Sequence, residues 1–411
     1  ISGDPVAGSA LTVSPGVWSG TQPISYSVRF ESCSLDGCVT RQNGDSLAYT
    51  ATAADIGRLI RATVTATNTA GDTSGTVDST IITAPPEGPV VNHCGTLTQD
   101  ETWAGNRVHH ITCTVTIPDD ITLTVAPGAV VKSQCFSWAF SVNGGGVLLA
   151  DGAVLTFMGD ASAGGDTGGN SCGADQRWSI YQWSGVESRV EIANSTIRRA
   201  GIHAQQGSSS RSVSITGSQL FDSVLSYLDI PGMTVMLRDN MFDRSSLSLR
   251  DVTPASRVES NTFRNQPDPV FLANLSAKVF DLSAGLTGNV LEGADRLRTV
   301  SMNGISVLAG DEVTWQPQGA VIHNITGASG GTGGVNVTGA LTIAPGAVVK
   351  SQCYSWAFSV NGGGALLADG AALTFIGDAS VGGDTGGNAC GAEQRWSIYQ
   401  WSGVESRVEI A

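Results

Sequence analysis

Charged side chains make up only 14% of this 411-residue chain, and lysine is almost absent. The leucine-, glutamate-, lysine- and alanine-rich runs that build helices are missing too, which argues against a helical fold. No stretch of about eighteen consecutive apolar residues occurs, so no segment reads as a membrane-spanning helix. The 22 basic residues are outnumbered by 36 acidic ones, for a net charge of −14. A nucleic-acid partner, whose phosphates need a basic footprint, is thereby disfavoured. The same balance suits divalent cations and an outward-facing soluble surface. No HExxH or Ser-His-Asp motif is recognisable among the 5 histidines. His109 and His110 are neighbours and face opposite ways on a strand, so local geometry forbids a shared metal. His93, His203 and His323 stand alone in sequence. The chain opens on Ile1-Ser-Gly-Asp-Pro-Val-Ala-Gly, already inside a domain pattern. Any targeting segment is expected to lie outside it.

What is present is glycine, at 52 residues, with serine, threonine, valine and alanine filling the rest. That composition implies an all-β protein with many tight turns. Its most informative feature is internal repetition. Residues 128–193 return as 346–411, shifted by 218 positions, with seven mild changes: Phe136→Tyr354, Val147→Ala365, Val154→Ala372, Met158→Ile376, Ala163→Val381, Ser171→Ala389 and Asp175→Glu393. No Gly, Trp or Cys changes. A catalytic site is normally built once per chain, whereas a long copy marks a repeat architecture. Asn194-Ser-Thr-Ile-Arg-Arg continues the first copy beyond the position matching Ala411. The native chain is therefore expected to continue similarly, or another subunit to stack there head-to-tail in a fibre.

The eight cysteines fall into local pairs, Cys33 with Cys38, Cys94 with Cys113, Cys135 with Cys172 and Cys353 with Cys390. An even count at such spacing reads as disulfides in an oxidising compartment. Zinc would want CxxC-like knuckles, which the spacing does not offer.

Residues 1–83 alternate apolar and polar positions between turn clusters, the pattern of a small β-sandwich. Ile1-Ser-Gly-Asp-Pro-Val-Ala-Gly-Ser-Ala-Leu-Thr-Val-Ser-Pro-Gly, Tyr49-Thr-Ala-Thr-Ala-Ala-Asp-Ile-Gly57 and Ala62-Thr-Val-Thr-Ala-Thr-Asn-Thr-Ala-Gly71 carry a resemblance to bacterial immunoglobulin-like modules of actinobacterial surface proteins. Such modules serve mostly as spacers. Residues 84–93, with Ala84-Pro-Pro-Glu-Gly-Pro89, are expected to be a stiff linker. Beyond them, segments ending at Ile197, Leu220, Phe242 and Phe263 step by 23, 22 and 21 residues. That is the period of one parallel β-helix coil. Trp103 leading to Leu123-Thr-Val-Ala-Pro-Gly-Ala-Val-Val-Lys132, the Gly/Asp loop, and the coil pattern of NSTI, DNMF and SNTF resemble the right-handed parallel β-helix repeats of large bacterial surface and secreted proteins. We expect one repeat over 94–304 and a second, incomplete one over 305–411, roughly fourteen coils and about 65 Å of rod. This scaffold hosts lyases, hydrolases, adhesins and inert stalks, so the resemblance identifies fold rather than function.

The Gly/Asp loop is the candidate cation site. Asp160, Asp166, Asn170 and Asp175 in the first copy, and Asp378, Asp384, Asn388 and Glu393 in the second, offer oxygen ligands on glycine-rich backbone, as Ca2+ requires. The loop resembles the GGDTNGDG type but lacks its second Asp. A disulfide-closed Ω-loop with Asp166 and Asn170 capping turns is the alternative. Trp138, Trp178, Trp183, Trp356, Trp396 and Trp401, with Tyr181 and Tyr399, are candidates for stacking on a surface glycan; the alternative is that they pack beneath the loop. Glu187 and Glu191 would share one strand face about 13 Å apart, too wide for a glycosidase pair. Lys132 and Lys350, each single, are expected at the surface. Threonines do not recur once per coil, which speaks against a flat ice-binding ladder. The functional expectation is an extracellular or cell-surface structural protein, an adhesin stalk or fibre without catalysis. A polysaccharide-binding or polysaccharide-degrading β-helix is the rival.

Overall fold

The computed structural model describes all residues except 35–36, 85–89, 136–137, 166, 169–175, 184–186, 205–209, 230–231, 281–287, 294–298, 317–321, 327–333, 354–355, 384, 386–394 and 401–404. The fold is all-β, with 57% of residues in strands, and its principal part is a right-handed parallel β-solenoid of about ten turns. Ten replaces the expected fourteen because loops leave the coils. Leu123 pairs with Leu148 after 25 residues, but Leu148 pairs with Val190 only after 42. The chain divides into two compact units, 1–181 with 189–200 and 216–219, and 182–188 with 201–215 and 220–411.

The first unit begins with antiparallel strands. Gly37–Gly44, Ser25–Ser34, Leu59–Asn68 and Gly71–Ile81 form a four-stranded sheet in that order, and Ala10–Thr12 pairs with Ala48–Thr50. In Leu59–Asn68 the period-two pattern sends Ile60, Ala62, Val64 and Ala66 inward. Of these, Ile60, Ala62 and Val64 meet Leu11, Phe30, Tyr49 and Ile82 in one core shared by both sheets. Asp55, from the Tyr49…Asp55-Ile-Gly57 motif, is buried yet fully bonded. It accepts from Tyr49 Oη (2.7 Å), Thr52 N (2.8 Å) and Arg41 Nε (2.7 Å). Burial opposes its ionisation, but the Tyr49 and Thr52 hydrogen bonds hold the carboxyl below its ordinary range. Burial, with the Asp55 hydrogen bond, pushes Tyr49 up to about 12.

The antiparallel part does not stand clear of the solenoid. Within the first unit, Thr196 Oγ1 accepts from Ile81 N (3.2 Å) and Gln219 Nε2 donates to Ser79 O (3.1 Å). Gly57 lies so close to Gly152 that a Cβ on Gly152 would sit 2.9 Å from the Gly57 Cα. The expected 84–93 linker is also shorter, since strand Val91–Thr96 already pairs with Val108–Ile117.

Solenoid strands of the first unit stack in parallel, with Glu101–Trp103, Thr122–Val125, Val147–Asp151 and Arg189–Ala193 as one sheet. Leu123, Leu148 and Val190 form an inward column. The second unit repeats it as Leu341, Leu366 and Val408 in the same register.

The coil motifs acquire a physical meaning at the corners. In NSTI, GSQL, DNMF and SNTF the first residue has left-handed backbone: Asn194 (φ 46°), Gly217 (55°), Asp239 (56°) and Ser260 (57°). Such a turn suits Asn, Asp and Gly best. The second residue, Ser195, Ser218, Asn240 or Asn261, is buried. It supplies the hydrogen bonds that a corner leaves unmade. Ser195 N donates to Ser218 Oγ in the first unit (3.1 Å). In the second unit Asn240 N and Nδ2 both donate to Asn261 Oδ1 (3.0 Å each), and Asn261 Nδ2 donates to Asn289 Oδ1 (2.9 Å). The fourth residue, Ile197, Leu220, Phe242 or Phe263, fills the interior. Phe242 and Phe263 stack at 4.6 Å.

Candidate functional site

Strands Val108–Ile117, Val130–Ser133 and Val154–Phe157 put His110, Lys132 and Thr156 side by side on adjacent coils. The Gly/Asp loop follows the last of them and folds back over this face. Its Ala163 is buried against Val108, Val130 and Val154. Lys132 is 0% exposed, contrary to its expected surface position. Its ammonium donates to Asp160 O (2.8 Å) and Gly165 O (2.6 Å). Lys350 is likewise 0% exposed and donates to Asp378 O and Gly383 O (2.7 Å each). The loop carbonyls thus hold a cation, and that cation is the protein's own lysine.

Asp160 locks the arrangement. Its carboxylate accepts from Thr156 Oγ1 (2.6 Å), from N and Oγ of Ser162, and from Arg198 Nη1 (2.8 Å). Those four donors fill the roughly four lone-pair positions of a carboxylate. Burial raises the Asp160 pKa, but Arg198, Ser162 and Thr156 outweigh it and hold the carboxyl below its ordinary range. Asp378 repeats the pattern with Thr374 and Ser380, whose hydrogen bonds lower its pKa. The two expected calcium ligands that can be located, Asp160 and Asp378, are therefore engaged by protein donors. Asp166, Asn170, Asp175, Asp384, Asn388 and Glu393 lie outside the described residues.

The tryptophans divide. Trp178 is 1% exposed and donates from Nε1 to Arg198 O (2.8 Å), so it is core and not a glycan contact. Trp183 and Trp396 are half-buried, and Trp401 lies outside the described residues. Trp138, however, is 49% exposed, with Tyr181 beside it at 5.5 Å. The second copy has Trp356 stacked on Tyr399 at 4.9 Å, with Tyr399 41% exposed.

His93, which stands alone in sequence, meets His109 on the neighbouring coil. His93 Nε2 and His109 Nδ1 are 2.9 Å apart and share a hydrogen bond, and His93 stacks on Trp103 at 3.8 Å. Burial, then His109, pushes His93 down to about 4, and burial lowers His109. In the second unit His323 stacks on Trp315 at 4.6 Å. Both its ring nitrogens are buried without a hydrogen-bond partner among the described residues, and burial pushes it down to about 3. His109 pairs with Val131, and His323 with Val349, 218 positions on. The repeat thus begins one coil before residue 128, where Asp100-Glu-Thr-Trp103 recurs in sequence as Asp311-Glu-Val-Thr-Trp315, although the Trp-to-His spacing differs between copies.

Glu187 and Glu191 do not share a strand. Glu187 precedes Arg189–Ala193 with φ 69°, and Glu191 pairs with Arg189 at 3.3 Å. Disulfides join Cys33 to Cys38 and Cys94 to Cys113. Cys135 and Cys353 are also disulfide-bonded, while their expected partners Cys172 and Cys390 lie outside the described residues. Among the described residues no three His, Cys, Asp or Glu side chains gather as a metal site, and no helix is long and apolar enough to cross a membrane. No protein family, curated protein or solved structure matches the chain.

Proposed function

We propose that this chain is part of an extracellular structural repeat protein, a stalk of an adhesin or surface fibre that works mechanically rather than by catalysis. The antiparallel segment 1–83 serves in it as an immunoglobulin-like module of the actinobacterial surface type. Further copies of the repeat follow in cis, or subunits associate head-to-tail. The observation that carries this reading is the duplicated clamp: Lys132 with Asp160 and Lys350 with Asp378 pin the same loop by the same bonds. Two copies kept this alike serve a scaffold that repeats one structural solution. Disulfides favour the oxidising exterior. The rival, a polysaccharide-degrading enzyme, needs a paired acid and base, and neither Glu187 nor Glu191 is placed for that role.

The test has two arms. Membrane-impermeant biotinylation of intact source cells should label the protein, and incubation with polysaccharides should release no new reducing ends. A chain recovered only from lysed cells would overturn the location, and sustained release of reducing ends would overturn the non-catalytic reading.

A further inference from the structure

Among the described residues Trp138 and Tyr399 are large apolar side chains left exposed, and they belong to equivalent ring pairs, Trp138–Tyr181 and Trp356–Tyr399. Neither a solenoid interior nor a mechanical stalk needs an exposed indole. In the second copy the register slips between Trp356 and Phe358. Phe358 stays in the core while its near neighbour Trp356 is not fully buried. The tyrosine on the next coil then supports one face of the indole, which fixes the ring before any ligand arrives.

The residues in register on the neighbouring strands are uncharged and polar. Thr116 lies between buried Val115 and Ile117 on the outer face, in register with exposed Thr96, whereas Ser141 beside it is buried and donates to Asn143 Oδ1 (3.1 Å). In the second unit Ser306, Asn336, Ser359 and Tyr399 form the corresponding row. An aromatic face beside a row of neutral hydroxyl and amide groups matches the two sides of a pyranose, whose C–H face stacks and whose hydroxyls hydrogen-bond. The net charge of −14 disfavours acidic polymers. A motif presented once per repeat suits a polymer that offers the same unit many times.

We infer that each copy carries a sugar-binding shelf, Trp138–Tyr181 and Trp356–Tyr399, and that the ligand is an uncharged polysaccharide at the cell surface or in the surrounding matrix. The shelf does not depend on the stalk reading, since a catalyst or a stalk can equally display it.

The test is retention of the whole oxidised chain on insoluble cellulose, chitin, mannan and starch, with melting temperature measured in parallel. At least one polysaccharide should retain the wild type, and molar salt should not elute it. Trp138→Ala plus Trp356→Ala should lose retention at least tenfold at an unchanged melting temperature, each single change should lose part of it, and Trp138→Phe plus Trp356→Phe should restore it in part. Failure of every polysaccharide to retain the wild type, elution by salt, or equal retention of the double alanine variant would each overturn the proposal.

Discussion

Lys132 and Lys350 are the residues on which the loops depend. A buried ammonium is tolerated only where carbonyls or carboxylates replace its water. Two loop carbonyls do so in each copy. Lys132→Met keeps the stem but leaves those carbonyls unbonded, which should cost about 2–4 kcal/mol in denaturant unfolding. A chelator should leave the melting temperature unchanged. A chelator-dependent fall would instead place a metal on the part of the loop outside the described residues. The copies also differ informatively where the loop meets the strands. Val154 and Ala163 share a buried cluster. The second copy has Ala372 and Val381 there, a reciprocal exchange of volume. Val154→Ala alone should cost about 2 kcal/mol through a cavity, and Ala163→Val alone about 1–3 kcal/mol through overpacking. The double variant should be more stable than their sum by roughly 1 kcal/mol or more. Simple additivity in denaturant melts would show that the two side chains are not coupled.

Elements are held by corners as much as by strands. Each left-handed corner residue costs on the order of 1 kcal/mol when it is not glycine. The buried Ser or Asn that follows offsets this by bonding backbone on the preceding coil. One corner does more. Gly152 (φ 57°) and its repeat equivalent Gly370 (φ 64°) both face a proline, Pro127 and Pro345, but only Gly152 also faces Gly57 of the antiparallel segment. Alanine at either site should cost about 1–2 kcal/mol for backbone strain. Gly152→Ala should cost roughly 1–3 kcal/mol more, because its Cβ enters the contact with Gly57. Hydrogen exchange should then rise at Ile81 and around Gly57 in Gly152→Ala and not in Gly370→Ala. Equal effects of the two substitutions would mean that the antiparallel segment is not braced at this corner.

At the scale of the whole molecule the expected weakness is acid. His323 and His93 are pushed down to about 3 and about 4, and His109 and His110 are lowered as well. Above their ordinary value of about 6.5, folded and unfolded chains carry these imidazoles neutral alike. As pH falls below that value the unfolded chain takes up protons that the folded chain refuses, so stability is lost progressively down to pH about 4 and about 3. Asp55 and Asp160, whose carboxyls are also lowered, add a loss in the carboxylate range. The melting temperature should therefore be flat near neutrality and fall steadily below pH about 6.5. His323→Phe, which keeps a ring against Trp315 but cannot be protonated, should flatten part of that fall. A pH profile identical to the wild type would show that His323 does not contribute.

The sequence alone determined the all-β class, the parallel coil and the duplication, because side-chain period and coil length are local properties written into NSTI, DNMF and SNTF. It also located the cysteine pairs Cys33–Cys38 and Cys94–Cys113, whose members are close along the chain. Tertiary structure decided what faces what. Lys132 read as a surface residue because lysine usually is one, and only a loop returning from Asp160 and Gly165 supplies the carbonyls that let it be buried. Trp138 and Trp178 have the same chemistry, and register alone sends one to solvent and the other to the core. His93 and His109 meet because a coil returns the chain to its own flank, a separation of 16 residues that no local pattern announces. Contacts made along the chain are legible as spacing, whereas contacts made across coils depend on register and loop closure, which the folded backbone sets.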